Sequence, residues 1–140
     1  MISFTYNTSG LNFNEKQMAG WIESAIKNEG VVPGDISYTF CTDEDLLEIN
    51  RSFLDHDTFT DIISFPTSGN PNIVSGEIFI SVDRVKENAI EFKVSIKKEL
   101  LRVMIHGVLH FIGYEDHSSA EKKQMRAKED YYLHLHPEFH

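Results

Sequence analysis

Residues 106–117 read His-Gly-Val-Leu-His-Phe-Ile-Gly-Tyr-Glu-Asp-His, and the rest of the chain is organised around this stretch. His106 and His110 are four residues apart, so on a helix their side chains share one face, close enough to bind one ion. Gly113 follows where a helix that ends and turns back favours a residue free to adopt positive φ. The stretch therefore predicts a metal site whose third ligand comes from beyond the turn.

Two neighbouring residues compete to be that third ligand. Asp116 lies six residues after His110 and His117 lies seven residues after it, and zinc accepts either a carboxylate oxygen or an imidazole nitrogen. Three protein ligands leave one position of a tetrahedral site for water, as in catalytic zinc sites. Because the ion lowers the pKa of that water, the predicted chemistry is hydrolysis by metal-bound water.

The residue after His106 bears on the class of substrate. In the zinc peptidase pattern His-Glu-x-x-His, the glutamate is the general base, whereas this chain has Gly107 at that position. Peptide hydrolysis by that mechanism lacks its proton carrier. A zinc metallopeptidase therefore ranks below a phosphodiesterase-type hydrolase.

The histidines belong to a long apolar segment, which is followed by a second helix. From Ser95 to Ile112 apolar residues occur nearly all round the predicted helix, which indicates a helix buried at the centre of the domain. Ser118-x-x-Glu121 has the form of a capping box and predicts another helix through about Leu133. The His-rich residues 134–140 are predicted to form a flexible, solvated tail.

The remaining elements follow from the periodicity of the apolar residues. Alternating runs predict strands at residues 2–6, 36–40, 61–66 and 77–81. Period-3.6 patterns predict a helix capped by Asn12 or Asn14 and ended by Gly30, a helix from Thr42 through Phe53, and a helix at 82–92. Residues 54–60 read as a loop, and residues 67–75 as the turn of an antiparallel hairpin. Residues 1–140 are thus predicted to form a single α+β domain with about four strands and five helices.

Composition narrows the class of protein. A net charge of -9 over 140 residues argues against nonspecific nucleic-acid binding through a broad basic surface. The first residues lack a signal-peptide pattern, and no apolar window approaches eighteen residues, so we expect a cytoplasmic protein without a membrane span. The single cysteine, Cys41, cannot form an internal disulfide, which fits a reducing compartment.

The segment His106 to Tyr114 resembles the signature His-Gly-x-Leu-His-x-x-Gly-Tyr of the YbeY family of bacterial metal-dependent endoribonucleases. Residues 49–50, 60–66 and 76–81 are also similar to family motifs, so the resemblance covers about residues 47–130. It implies one Zn²⁺ per chain on the buried helix, a small mixed sheet beside it, and a cleft for single-stranded RNA. It further implies a role in ribosomal RNA maturation and ribosome quality control, with the small ribosomal subunit as a possible partner and neither DNA nor a membrane.

The chain departs from the family pattern at the third ligand. The family has histidine where an ungapped reading of this chain has Asp116. Either Asp116 is the ligand, or one residue has been inserted and His117 is. Spacing favours Asp116, because it preserves the Gly113-centred turn and an aspartate oxygen reaches zinc at a similar distance.

A second departure concerns the catalytic helpers. The family has an arginine four residues after its Leu-Asn asparagine, where this chain has Leu54; Arg51, one turn earlier, is a candidate substitute. Asp61 and Glu77 are candidate carboxylates to orient the attacking water.

Besides the metallopeptidase, the alternative function is a ribosome assembly factor whose metal is structural.

Overall fold

Four strands form one mixed sheet in the computed structural model of the chain, which describes residues 1–54 and 60–138. The strands are β1 (Ile2–Tyr6), β2 (Val32–Cys41), β3 (Ile62–Pro66) and β4 (Ile73–Ser81), in the spatial order β1-β2-β4-β3. β1 and β4 pair with β2 in parallel, and β3 pairs with β4 antiparallel. The sheet and the β3–β4 hairpin confirm the predicted mixed α+β architecture.

Two strands are longer than the sequence pattern predicts. β2 begins at Val32 and β4 at Ile73, because the two strands already pair there, ahead of a register irregularity between Pro33 and Ile36. Proline and glycine in this part of β2 interrupt the apolar alternation, so the pairing is invisible in the sequence. The loop predicted at 54–60 falls mainly on residues 55–59, which lie outside the described residues.

Within residues 1–54 and 60–138, five helices accompany the sheet, as predicted. They are α1 (Glu15–Asn28), α2 (Asp43–Phe53), α3 (Val82–Phe92), α4 (Ile96–Ile112) and α5 (Ser119–Leu135). Asn14, rather than Asn12, caps α1 by accepting the Gln17 backbone N–H. The capping box of Ser118 with Glu121 is present at the start of α5. Among the described helices, none has the length and hydropathy that a membrane crossing requires.

Helix α4 is central, as predicted, and packs directly on one face of the sheet. A Cβ added at Gly107 would lie 2.9 Å from Ile62 Cδ1 and 3.1 Å from Ile78 Cδ1. One turn later, Phe111 lies over Gly76, where an added Cβ would come within 2.5 Å of the Phe111 ring. The absence of side chains at both glycines therefore lets the helix approach β3 and β4 closely. α1, α3 and α5 also pack against α4.

The predicted solvated tail is buried at His136, whereas the other described residues from 134 to 138 are exposed. α5 continues to Leu135, and His136 is 1% exposed, with its ring 5.1 Å from that of Trp21. Glu138 forms an ion pair with Lys97 on α4. The expectation of solvation is wrong for His136, because an aromatic partner 115 positions earlier in the chain supplies a contact that local sequence does not reveal. Residues 139–140 lie outside the described part.

Candidate metal centre

Helix α4 presents its two histidines side by side, as their spacing predicts. The Nε2 atoms of His106 and His110 are 3.0 Å apart, and their ring centroids are separated by 4.5 Å. The planes of the two rings are nearly perpendicular, at 81°. Both imidazoles thus direct the same nitrogen toward one point beside the last turns of the helix.

The chain reverses at Gly113 through a Schellman turn. Gly113 has φ +125°, its N–H donates to the His110 carbonyl, and the Tyr114 N–H donates to the Leu109 carbonyl. A side chain at this φ would be strained, which is why glycine is needed at this position. The turn brings the following residues back alongside the histidine pair.

Asp116 completes a triangle with the two histidines. Its Oδ2 lies 3.4 Å from His106 Nε2 and 3.6 Å from His110 Nε2. In a tetrahedral site with bonds of about 2.0 to 2.2 Å, ligand atoms stand about 3.3 to 3.6 Å apart. The two Asp116 distances lie in this range, and the 3.0 Å between the histidine nitrogens is slightly shorter. With a donor set of two imidazole nitrogens and one carboxylate oxygen, these three residues could hold a metal ion.

His117, the alternative third ligand, points elsewhere. Its side chain is 81% exposed, and its Nε2 lies 3.2 Å from the carboxylate of Glu115. Among the described residues, the group that could share an ion contains Asp116 and does not contain His117. The backbone turn at Gly113 explains the difference, because it returns Asp116 toward α4 and leaves its neighbour in solvent.

A buried carboxylate contacts His106 at the ring nitrogen that faces away from His110 and Asp116. Glu129 on α5 places its Oε2 2.6 Å from His106 Nδ1, and Arg102 contacts the other oxygen of Glu129 at 3.1 Å. Burial alone would lower the pKa of the His106 imidazole, but its hydrogen bond to Glu129 and the charges of Glu129, Asp116 and Asp61 outweigh burial and raise this pKa. The environment of His106 is thus strongly anionic, which also favours a bound cation.

Sequence reasoning missed both residues of this support. Glu129 lies between Lys128 and Asp130 in a charged segment of α5, and Arg102 has the sequence context of an ordinary helix arginine. The periodicity of α5 offers one clue, since Glu129 is four residues after the buried Met125 and so shares its face. A charged residue at a buried position of an amphipathic helix is a signal worth following.

The triangle opens into a cleft of about 280 Å³ whose charge is mixed. Its ionisable lining comprises four carboxylates and two guanidinium groups beside His106: Asp61, Glu99, Asp116, Glu129, Arg102 and Arg126. Burial raises the pKa of Glu99, and the nearby Arg102 opposes that rise. The carboxylates outnumber the arginines, so a polyanionic substrate would need a further cation here.

Of the predicted helpers, Asp61 reaches the cleft. It lines the cleft together with His106 and Asp116, and its Oδ2 accepts a 3.4 Å hydrogen bond from Asn88 Nδ2. Burial raises the pKa of Asp61, and the charge of His106 opposes that rise. Of the three predicted helpers, the structure therefore brings one, Asp61, to the cleft that His106 and Asp116 also line.

Glu77 and Arg51 do not reach the cleft. Gly76 and Ile78 both face α4, so the alternation of a strand turns Glu77 to the opposite face, where it lies beside Phe65. Arg51 is exposed on α2, which packs on that opposite face, and neither residue is among the described residues lining the cleft. The alternation of β4 is visible in the sequence, but which face α4 covers is not.

Sequence comparisons with known proteins agree on one family, and a solved structure has a similar fold. The family model described as endoribonuclease YbeY matches residues 3–136. A protein named endoribonuclease YbeY from Flavobacterium psychrophilum is 50% identical over 135 residues, 96% of each chain, and one from Flavobacterium johnsoniae is 49% identical over 131 residues, 93% of each chain. The solution structure of a Thermotoga maritima protein superposes with a TM-score of 0.67 at 30% identity, covering 96% of this chain and 87% of that one.

Proposed function

The chain belongs to the endoribonuclease YbeY family, and on this premise we propose that it is a zinc-dependent endoribonuclease that cleaves single-stranded RNA. We further propose ribosomal RNA as its substrate, in RNA maturation and ribosome quality control in the cytoplasm, with the small ribosomal subunit as a partner. The observation that carries the proposal is the triangle of His106, His110 and Asp116 at the edge of a cleft.

Three atoms would hold the ion: Nε2 of His106, Nε2 of His110 and Oδ2 of Asp116. Two nitrogens and one oxygen at this spacing suit zinc. When bound, a zinc ion supplies Lewis-acid chemistry, lowering the pKa of water toward neutrality and polarising a phosphoryl group. The ion would also offset the excess of carboxylates over arginines in the cleft, because it adds a cation among four carboxylates.

The chain's own residues would prepare the attack on the phosphodiester. Asp61 lines the cleft with the ligands and would accept the proton of the attacking water at its carboxylate, oriented by Asn88. Arg126 is 53% exposed at the cleft, with its guanidinium 3.9 Å from Glu129, and would contact a phosphate oxygen. Arg126 would thus take the place of the family arginine that is Leu54 in this chain.

The direct test is cleavage of a labelled single-stranded RNA by the purified protein. We expect the chain to cut this RNA, chelation to abolish cutting, added zinc to restore it, and His110→Ala to abolish cutting without unfolding the protein. His134→Ala removes an exposed histidine of α5 and is the matched control, which should cut normally. Cutting that survives both chelation and His110→Ala would overturn the proposal.

The two helper residues are tested by separating metal content from turnover. Asp61→Asn should keep a full complement of zinc and lose most of the rate. Arg126→Ala should keep zinc and raise KM about tenfold or more, the loss of one charge-assisted hydrogen bond. Lys123→Ala removes an exposed cation from the same helix and should leave KM unchanged. An unchanged rate in Asp61→Asn, or an unchanged KM in Arg126→Ala, would remove that residue from the mechanism.

The same preparation separates the alternative functions. A protein that binds zinc stoichiometrically but leaves RNA intact would be an assembly factor with a structural metal. A metallopeptidase would cut peptides and spare RNA. The packing of Gly107 against Ile62 and Ile78 argues against the peptidase, because a catalytic glutamate at this position would face the sheet.

A further inference from the structure

Glu129 contacts His106 on the side of the ring away from the metal triangle. Its Oε2 lies 2.6 Å from Nδ1 of His106, whereas Nε2 of the same ring faces His110 and Asp116. Glu129 is buried on α5, and its side chain is only 7% exposed. The imidazole is therefore held between a carboxylate and the ligand triangle.

This arrangement selects one tautomer of His106. A carboxylate is only an acceptor, so a 2.6 Å contact places a proton on Nδ1, between the ring and Glu129. A neutral imidazole protonated at Nδ1 has its lone pair on Nε2, the atom that faces the triangle. Carboxylates in this position behind a ligating histidine also fix the plane of the ring.

Arg102 holds the carboxylate of Glu129 in place. Its Nη1 lies 3.1 Å from Glu129 Oε1, and its Nη2 lies 3.0 Å from Asp130 Oδ1. The two oxygens of Glu129 are thus divided, one for Arg102 and one for His106. Arg102 stands four residues before His106 on α4, so the same helix carries the histidine and the cation that positions its carboxylate partner.

We propose that Glu129, held by Arg102, is a positioning residue that fixes the tautomer and ring orientation of His106 for metal binding. The inference rests on the proposed function, in which His106 ligates the ion. Removing such a carboxylate typically lowers metal affinity about 10- to 100-fold. Because Glu129 acts through His106, the loss should show in the metal affinity before any RNA is added.

The test is zinc titration of the apoprotein by competition with a chromogenic chelator, for wild type and three variants. Glu129→Gln should bind zinc about 10- to 100-fold more weakly. Glu129→Asp keeps the charge but has a shorter side chain, so its zinc affinity should lie between those of wild type and Glu129→Gln. Asp130→Asn removes a different carboxylate partner of Arg102 without touching His106, and should bind zinc with wild-type affinity.

A spectroscopic readout separates positioning from general stability. In long-range ¹H–¹⁵N spectra of the zinc-loaded protein, the Nδ1 proton of His106 should lie far downfield in wild type and Asp130→Asn, and should move upfield in Glu129→Gln. Wild-type affinity together with an unchanged Nδ1 signal in Glu129→Gln and Glu129→Asp would overturn the inference and leave the proposed metal site standing. Failure of wild type to bind zinc would overturn the metal site and this inference together.

Discussion

The Tyr114 hydroxyl donates a 2.6 Å hydrogen bond to the Glu29 carboxylate, joining the turn after α4 to the C-terminal end of α1. Lys128 contacts the same carboxylate at 3.1 Å, and the Tyr132 hydroxyl also donates to it. Glu29 therefore gathers three donors, two of them from α5. Because Tyr114 lies two residues before Asp116, this network anchors the segment that carries the proposed third ligand.

Removing the Tyr114 hydroxyl tests this anchor. Tyr114→Phe should lower the free energy of unfolding by about 1 to 2 kcal/mol, because a buried charged acceptor loses one donor. It should also weaken zinc binding, since Asp116 becomes less restrained. Urea denaturation and zinc titration measure the two effects. Tyr131→Phe, at a half-exposed tyrosine of α5, is the control and should change stability by no more than about 0.5 kcal/mol.

The Glu29 network also predicts a pH dependence of stability. Burial alone would raise the pKa of Glu29, but hydrogen bonds from Tyr114, Tyr132 and Lys128 outweigh burial and hold this pKa below the usual range of a glutamate. A lowered folded-state pKa gives stability that is fully present above about pH 4.3, the ordinary glutamate value, and is lost as the pH falls through the folded pKa.

Glu29→Gln isolates this contribution. At neutral pH the variant should be less stable than wild type by about 1 to 3 kcal/mol, the worth of hydrogen bonds to a charged group. The gap should close as the pH falls from 5 toward 3, because wild type then loses the same carboxylate charge. Urea unfolding of both proteins across this range measures the gap, and a gap independent of pH would contradict the role given to Glu29.

The contact of α4 with the sheet predicts a specific glycine effect. A Cβ at Gly76 would lie 2.6 Å from the Phe65 carbonyl oxygen and 2.5 Å from the Phe111 ring. Gly76→Ala should therefore lower the free energy of unfolding by about 1 to 3 kcal/mol, because backbone and ring must both shift. Gly20→Ala is the matched control: a Cβ there meets nothing within 4 Å, and the change should be neutral or stabilising by up to about 1 kcal/mol. Thermal and urea unfolding measure the stability of both variants. Equal changes in the free energy of unfolding for Gly76→Ala and Gly20→Ala would contradict close packing at Gly76.

Much of the candidate metal centre could be predicted because its determinants are local. The spacing of His106 and His110, the positive φ of Gly113 and the return of Asp116 all lie within eleven residues, where helix geometry and a turn decide the outcome. The capping box at Ser118 is local in the same sense. The four strands and five helices were predicted for a related reason, since each carries its own apolar period.

The features that the sequence did not reveal depend on contacts between distant residues. Glu129 contacts His106 only because α5 packs on α4. His136 is buried because its ring packs against Trp21 of α1. Glu77 belongs to a correctly predicted strand, yet its distance from the cleft follows from which face of the sheet α4 covers. The alternation of apolar and polar residues predicts a strand and its two faces, whereas tertiary packing decides which face lies toward the site.

In the proposed function, Asp116, with His106 and His110, holds the ion on which RNA cleavage depends. The most direct measurement is the zinc content and single-stranded RNA cleavage of Asp116→Ala and His117→Ala, purified side by side with wild type. We predict that Asp116→Ala loses stoichiometric zinc and cleavage together, while His117→Ala retains both. Full zinc and activity in Asp116→Ala, with their loss in His117→Ala, would instead make His117 the third ligand.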